Sequence, residues 1–257
     1  MRILITNDDG ISAPGLSVLE TIAHSLSDDV WTVAPAFEQS GVGHCISYTR
    51  PFMVQKIGER RYAVEGSPAD CVLAGLHDIL PGAPDLILSG VNRGNNSAEN
   101  ALYSGTLGAA IEGALQGVLS IALSQYYGTA NRDLADPFAA SAVHGRALIE
   151  RILAATPGDQ PGYQLFYNVN VPPVAAADVK GTRLCPQGLR PGRGFHTEAT
   201  TSPSGRQFLW IRGGDQHRQT APDTDAALNL DGYISVTPMR ADMTAHDMLD
   251  TLAGIAT

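Results

Sequence analysis

The sequence is poor in basic residues. It has 17 lysines and arginines against 26 aspartates and glutamates in 257 residues, a formal net charge of −9 at pH 7. Proteins that bind nucleic acids or lie on anionic membranes usually carry a basic face. We therefore expect neither a nucleic-acid duplex nor a membrane as a partner. A small anionic substrate is compatible with this charge, because one bound metal ion outweighs the local field.

Cysteine and long apolar runs are also scarce. Three cysteines without a CxxC pair argue against a disulfide framework and a zinc ribbon, and indicate free thiols in a reducing compartment. No stretch approaches the roughly 18 uninterrupted apolar residues of a membrane span, and the first residues lack the pattern of a signal peptide. We expect a cytoplasmic protein. With 44% hydrophobic and 17% charged residues, the chain can bury a large core.

Short apolar runs alternate with helical patterns over the first 155 residues. Residues 2–6 and 30–34 predict strands, and the apolar residues between 15 and 26 recur at helical spacing. The alternation continues with a helix from Ser67 to Pro81, a strand at 86–88, a helix at 105–115, a strand at 119–123 and a helix from Pro137 towards Leu153. This order predicts an α/β fold, a mostly parallel sheet with helices on both faces.

The pattern changes after residue 155. Strand-like runs occur at 162–171, 195–200, 207–212 and 232–237. The middle two flank the turn TSPSG and predict a β-hairpin, which has little core of its own and so is expected to pack on something else. We therefore divide the chain into an α/β core, residues 1–155, and a C-terminal extension, residues 156–257, with a hairpin arm and a closing strand.

Two adjacent acids, Asp8 and Asp9, follow the first strand. Ligands of open parallel sheets bind at the carboxyl ends of the strands. Neighbouring residues of a strand point to opposite faces, so the acids share a ligand only if the chain has already left the strand, as Gly10 and Pro14 indicate. Two close carboxylates repel unless a cation such as Mg²⁺ or Mn²⁺ lies between them. The alternative is that Asp8 caps the turn and Asp9 is solvated.

Three further glycine-rich polar segments follow predicted strands. "APAFEQSGVGH" carries Ser40 and His44, "SGVNRGNNS" carries Asn92 and Asn96, and "LYSGTLGAA" opens a helix at residues 104–106. Carboxylate, hydroxyl and amide oxygens suit a hard metal ion. The free N–H groups at the start of a helix suit a phosphate.

The sequence resembles the SurE family, stationary-phase survival protein E, which comprises metal-dependent 5′-nucleotidases. The matching stretches lie between residues 3 and 239: ILITNDDGISAPG, VAPAFEQSGVGH, GSPADCV, DLILSGVNRGNN, LYSGTLGAAIEGA and GYISVTPM. Asn95 stands where the family often has proline, and Ser67 where it commonly has threonine.

The resemblance implies a Rossmann-like domain, a C-terminal extension used in oligomerisation, and hydrolysis of nucleoside 5′-monophosphates by a homodimer or homotetramer. It implies one divalent metal ion per subunit, Mg²⁺ or Mn²⁺, held by Asp8, Asp9, Ser40 and Asn92. The substrate phosphate would contact Asn92, Asn96, Ser104, Gly105 and Thr106.

Several roles stay open at this point. Asp8 or Asp9 could orient the attacking water, deprotonate it or attack directly, with Asn96 stabilising charge on the phosphate. His44 could be the general acid or a histidine packed on the site wall. Asp223 and Asp225, in a segment that the resemblance places on the substrate side, are expected to form a turn and a helix cap. A valine at Gly105 is expected to block the phosphate but to spare the metal site.

Three other classes of protein are alternatives to a 5′-nucleotidase of this family. A haloacid-dehalogenase phosphatase has two acids separated by one residue, whereas these are adjacent. A calcium EF-hand spreads its acids over a loop between helices. A non-catalytic nucleotide sensor would have the same fold, but it need not retain the metal ligands.

Overall fold

A computed structural model describes residues 1–128, 130–158, 160, 162–192 and 194–255. Up to residue 155 its elements are β1 (Arg2–Thr6), α1 (Pro14–Leu26), β2 (Asp29–Pro35), β3 (Val54–Gly58), β4 (Arg61–Val64), α2 (Pro68–Ala74), β5 (Leu86–Arg93), α3 (Gly105–Leu115), β6 (Ser120–Gln125) and α4 (Ala139–Ala155). They continue with β7 (Phe166–Val171), β8 (Thr182–Leu184), β9 (Phe195–Thr201), β10 (Gln207–Gly213), α5 (Asp225–Leu230) and β11 (Ile234–Met239). A 3₁₀ helix, Ala98–Tyr103, immediately precedes α3.

Nine strands form one sheet in the order β3-β4-β2-β1-β5-β6-β7-β11-β8. The strands from β4 to β7 run parallel, and β3 and β11 pair antiparallel to β4 and β7. The chain leaves β1 to form β2 on one side and later returns as β5 on the other, so β1 is the switch point of the sheet. The predicted α/β fold class is confirmed.

The core lies on both faces of the sheet, because alternate residues of a strand point to opposite sides. Ile3 and Ile5 of β1 pack in a cluster with apolar residues of α1 and α4, whereas Leu4 packs in a second cluster with residues of α2 and α3. All three are fully buried. A strand that is apolar on both faces is therefore covered by helices on both faces.

The C-terminal extension shares this sheet. The strands β7, β8 and β11 extend it beyond residue 155, while β9 and β10, within the described residues, form a separate two-stranded sheet, the expected hairpin. The boundary at residue 155 thus divides the sequence but not the sheet, and the two-part division stays a prediction. Among the described residues, no helix is long and apolar enough to cross a membrane.

Candidate active site

A cleft of about 440 Å³ opens at the carboxyl edge of the sheet beside β1 and β5. Its lining residues are Asp8, Ser40, Gly41, Asn92, Arg93, Gly94, Asn95, Asn96, Asn100, Tyr103, Ser104, Phe195 and Ile211. Five of the residues that the sequence singled out therefore share one cleft: Asp8, Ser40, Asn92, Asn96 and Ser104.

Asp8 lies just beyond β1 and is buried, with 4% of its surface exposed. The Thr106 hydroxyl donates a hydrogen bond to its Oδ1 at 2.6 Å, and the Gln39 N–H donates to its carbonyl oxygen at 2.7 Å. Burial raises the pKa of Asp8 to about 6, and the neighbouring Asp9 adds to this rise. In the described part of the chain no cation forms an ion pair with Asp8.

Asp9 has left the strand as expected, but it lines a neighbouring cavity of about 270 Å³ rather than the cleft. Its Oδ2 accepts the backbone N–H of Arg93 at 3.0 Å, and Arg93 lines both the cleft and the cavity. Burial raises the pKa of Asp9, with a contribution from Glu38, against the lowering effect of the Arg93 N–H. Asp9 therefore lies beside the cleft, in a cavity that also has apolar and aromatic lining residues.

The oxygen donors suit a hard divalent ion. Among the described residues neither Asp8 nor Asp9 forms an ion pair, and Ser40 and Asn92 supply a hydroxyl and an amide oxygen on the cleft that Asp8 also lines. The side-chain nitrogen of Asn92 donates to the Gly94 carbonyl at 2.9 Å. This bond fixes the orientation of the Asn92 amide and does not use its oxygen, which is the atom that would bind a metal ion. No group of three or more His, Cys, Asp or Glu that could hold a metal ion occurs among the described residues.

Asn96 is buried and held through both its backbone and its side chain. Its N–H donates to Asn170 Oδ1 at 2.7 Å, and its carbonyl accepts from Asn168 Nδ2 at 2.8 Å. Its own Nδ2 donates to Ser124 Oγ at 2.8 Å. Sequence reasoning missed Asn168 and Asn170. The available signal was FYNVNV, in which asparagines alternate with apolar residues in a strand that must be buried.

The start of α3 lies against Asp8. Ser104 is the N-cap, and its hydroxyl accepts the Leu107 N–H at 3.1 Å, as expected. A side chain on Gly105 would place its Cβ 2.9 Å from Asp8 Cβ and 3.2 Å from Asp8 Oδ2. This geometry contradicts the expectation that a valine there would spare the metal site, because Gly105 touches an expected metal ligand directly. The Thr106 hydroxyl is likewise committed to Asp8.

His44 is not among the residues that line the cleft. Its Nε2 lies 2.7 Å from Glu112 Oε2 on α3, and this hydrogen bond lowers the pKa of Glu112. Gln116 donates to the other carboxylate oxygen at 2.8 Å. The pair resembles an oriented histidine–carboxylate arrangement, and the role of His44 as general acid stays a prediction.

Aromatic residues form the other end of the cleft. Tyr103 and Phe195 meet edge to face, with ring centroids 4.8 Å apart, and Ile211 lies beside them. Phe195 and Ile211 belong to the hairpin, which the sequence assigned to oligomerisation. Sequence reasoning missed this wall because a contact between residues 103 and 195 leaves no local pattern.

The fold and the cleft together place the chain among α/β proteins that carry a polar site at the switch point of a mostly parallel sheet. The comparisons with known proteins narrow this class. A family model described as "Survival protein SurE" matches residues 3–193. The chain belongs to the SurE family.

Relatives with similar sequences span the whole chain. The 5′-nucleotidase SurE of Roseobacter denitrificans is 68% identical over 261 residues, covering 100% of both chains. That of Ruegeria pomeroyi is 65% identical, covering 98% of both. Among solved structures, the SurE protein of Aquifex aeolicus has a TM-score of 0.82 at 32% identity and full coverage of both chains.

Proposed function

We propose that this protein is a 5′-nucleotidase, a metal-dependent phosphomonoesterase that hydrolyses nucleoside 5′-monophosphates to nucleoside and phosphate. One observation carries the proposal: a single cleft joins acidic and amide oxygens at one end to an aromatic wall at the other. A nucleotide has the same division, with a charged phosphate and a planar base. The names of the relatives at 65–68% identity support the same activity.

The expected cofactor is one divalent ion per subunit, Mg²⁺ or Mn²⁺, with Asp8, Asp9, Ser40 and Asn92 as ligands. When bound, such an ion polarises a phosphoryl oxygen and lowers the pKa of a coordinated water. The burial of Asp8 favours a cation in this place, because its carboxylate accepts a hydrogen bond from Thr106 but has no ion-pair partner among the described residues.

The chain's own residues then divide the remaining work. Asn96 and the first turn of α3, at Ser104 and Gly105, contact the substrate phosphate, because amide and backbone N–H groups stabilise charge on its oxygens. We assign the orientation of the attacking water to Asp9. Its carboxylate is less buried than that of Asp8 and is fixed by the Arg93 N–H.

The aromatic wall is the expected place of the nucleoside. Tyr103 and Phe195 are half-exposed rings beside the polar end of the cleft, and their faces offer stacking area to a base. Asn100, in the same wall, is held by Gln216 at 2.7 Å and offers an amide group to polar substrate atoms. This arrangement favours a nucleotide over a bare phosphate.

We further propose that the protein acts as a homodimer or homotetramer through its hairpin. All residues of β9 and β10 are exposed in the single chain. Phe195 and Ile211 share the face towards the cleft, which leaves Phe208 and Trp210 on the opposite face. Apolar residues on an unsupported hairpin are best covered by a second copy.

The remaining expectations concern partners and location. We expect no nucleic-acid duplex and no membrane as a partner, on the basis of the net charge of −9. Cys45, Cys71 and Cys185 are free thiols, which is compatible with a reducing, cytoplasmic location.

The test is phosphate release from a panel of nucleoside 5′-monophosphates by protein stripped with a chelator and reloaded with Mg²⁺, Mn²⁺, Co²⁺ or Zn²⁺. Ribose 5-phosphate, which lacks the base, is the matched control. We expect metal-dependent release and a lower KM for nucleotides than for ribose 5-phosphate. Phe195→Ala should raise the KM for nucleotides while leaving that for ribose 5-phosphate nearly unchanged. Binding of nucleotides without any turnover would instead indicate a sensor.

A further inference from the structure

The peptide group between Ser97 and Ala98 is held on both sides by buried charges from the C-terminal extension. The Ser97 carbonyl accepts a hydrogen bond from Arg190 Nη1 at 2.9 Å. The Ala98 N–H donates to Asp225 Oδ2, also at 2.9 Å. Ser97 directly follows Asn96, although Arg190 and Asp225 lie more than 90 residues further along the chain.

Arg190 also binds the side chain of Ser97, so that its guanidinium group contacts this residue through two nitrogens. Its Nη2 donates to Ser97 Oγ at 2.8 Å, and that oxygen also accepts from Asn95 Nδ2 at 2.8 Å. Arg190 is 5% exposed, and Glu99 supplies its nearest carboxylate at 3.4 Å. A planar guanidinium that binds both a carbonyl and a hydroxyl of one residue fixes its orientation as well as its position.

Asp225 was expected to be a helix cap, but Thr224 occupies the N-cap position and Asp225 is the first residue of α5. Its Oδ1 does accept the Ala226 N–H of its own helix at 2.7 Å, but it also accepts the Gly188 N–H at 2.8 Å. With Oδ2 on Ala98, this one fully buried carboxylate joins three segments of the chain. It ties the segment that carries Arg190 to the segment that carries Asn96.

The backbone at Ala98 requires such support. Its φ is +53°, in the left-handed region that a residue with a Cβ seldom adopts. A conformation of this kind is strained and persists where surrounding contacts determine it. The contacts that determine it here come from Arg190 and Asp225, together with Gln187, whose side chain donates to the Ala98 carbonyl at 2.9 Å.

We propose that Arg190 and Asp225 are positioning residues for catalysis: they hold the Ser97–Ala98 peptide and thereby keep Asn96 directed at the substrate phosphate. The proposal rests on the phosphate-binding role of Asn96 in the proposed function. It assigns the C-terminal extension a part in the reaction as well as in assembly. A displacement of about 1 Å at a phosphate contact is enough to lower turnover by about 10²-fold.

The experiment compares Arg190→Lys and Asp225→Asn with Arg2→Lys in the full-length, metal-loaded protein. Lysine keeps the charge at position 190 but loses the bidentate contact. Arg2 is the matched control, because it pairs with Asp29 at 3.0 Å at the opposite end of β1. Three quantities are measured: hydrogen–deuterium exchange of peptides covering residues 95–103, kcat and KM for AMP, and the affinity for inorganic phosphate by calorimetry.

We expect faster exchange at residues 95–103 in both variants, a 10- to 100-fold loss in kcat/KM, weaker phosphate binding, and wild-type behaviour of Arg2→Lys. Unchanged exchange would overturn the proposal. Faster exchange together with a kcat/KM and a phosphate affinity within twofold of the wild type would also overturn it, because loosening the segment would then affect neither catalysis nor phosphate binding. If the buried-charge variants do not fold, Ser97→Ala, which removes the hydroxyl that accepts from Arg190 and Asn95, is judged by the same criteria. If the wild type hydrolyses no phosphate ester, the proposed function fails. In that case the hydrogen–deuterium exchange and the phosphate affinity of the variants still decide whether Arg190 and Asp225 support a phosphate-binding site.

Discussion

At the scale of single residues, Asp8 links the stability of the protein to its chemistry. Its carboxyl group is buried, accepts one short hydrogen bond from Thr106, and has a pKa raised from 3.8 to about 6. Most of the cost of this burial falls on the ionised form, which is the form that would bind a metal ion. A residue that is unfavourable for the metal-free fold but supplies an oxygen to the cleft is typical of a functional site.

We expect Asp8→Asn to abolish turnover and to stabilise the metal-free protein. A pKa raised in the folded state contributes stability below pH 3.8 that is lost as the pH rises through about 6, and the loss amounts to about 3 kcal/mol. The variant lacks this loss, so its advantage in unfolding free energy should be larger at pH 8 than at pH 5. Denaturant unfolding in a chelator measures it. Asp133→Asn, at an exposed site, is the control. An Asp8→Asn protein with wild-type activity would disprove the assignment.

His44 presents a separate question, because it faces Glu112 rather than the cleft. A general acid matters most when the leaving group is a poor one, such as the alkoxide of a nucleoside. If His44 is that acid, His44→Asn should lower kcat by about 10²-fold for AMP but only slightly for p-nitrophenyl phosphate. Equal losses for both substrates would show that His44 supports the site wall instead.

At the scale of elements, α3 is the part of the fold that joins metal and phosphate chemistry. Its first turn contacts Asp8 through both Gly105 and Thr106. A helix N-terminus stabilises an anion, and the anion nearest to this turn in the structure is the Asp8 carboxylate. The two expected subsites are therefore coupled through one turn of helix.

Gly105→Ala should accordingly damage both subsites. Its Cβ would lie 2.9 Å from Asp8 Cβ, so either the helix or Asp8 must move. We expect weaker metal binding together with a loss of turnover of about 10²-fold. Gly158→Ala, where a Cβ meets nothing within 4 Å, is the control. Calorimetric titration with Mn²⁺ and AMP hydrolysis are the two measurements, and a loss of turnover at unchanged metal affinity would contradict the coupling.

Elements with strong local signals were predictable from the sequence. The helix at 105–115 was predictable, because Ser104 is its N-cap and small residues follow. The sequence did not predict β3 and β4, because β3 is an edge strand whose residues are mostly exposed and show no apolar alternation. The acids and amides at strand ends were found because parallel strands bring their carboxyl ends to one edge. The contact of Arg190 with Ser97 and that of Phe195 with Tyr103 were not predictable, because each joins residues about 90 positions apart.

At the scale of the whole molecule, the hairpin has two faces with different expected roles. Phe195 and Ile211 border the cleft, while Phe208 and Trp210 face away from it. Assembly and substrate binding would thus use opposite sides of the same element. This arrangement allows the two functions to be separated by mutation.

Deleting residues 196–211 should shift the protein towards the monomer in sedimentation velocity and also raise the KM for nucleotides, because the deletion removes Ile211 from the cleft. The double substitution of Phe208 and Trp210 by serine changes only the outward face. We expect this double variant to assemble more weakly, while the fraction that remains oligomeric keeps nearly the wild-type KM for nucleotides. If the deleted form stays fully oligomeric, the subunit interface lies elsewhere.

The central claim is that the oxygen-lined cleft beside β1 is a metal-dependent nucleotidase site. The most direct test is phosphate release from AMP by chelator-treated protein during titration with Mn²⁺, measured in parallel for the wild type and Asp8→Asn. We expect no phosphate release before Mn²⁺ is added. Activity should then recover to saturation in the wild type and should not recover in Asp8→Asn at any Mn²⁺ concentration. Release that is independent of added metal, or an Asp8→Asn protein that recovers like the wild type, would contradict the central claim.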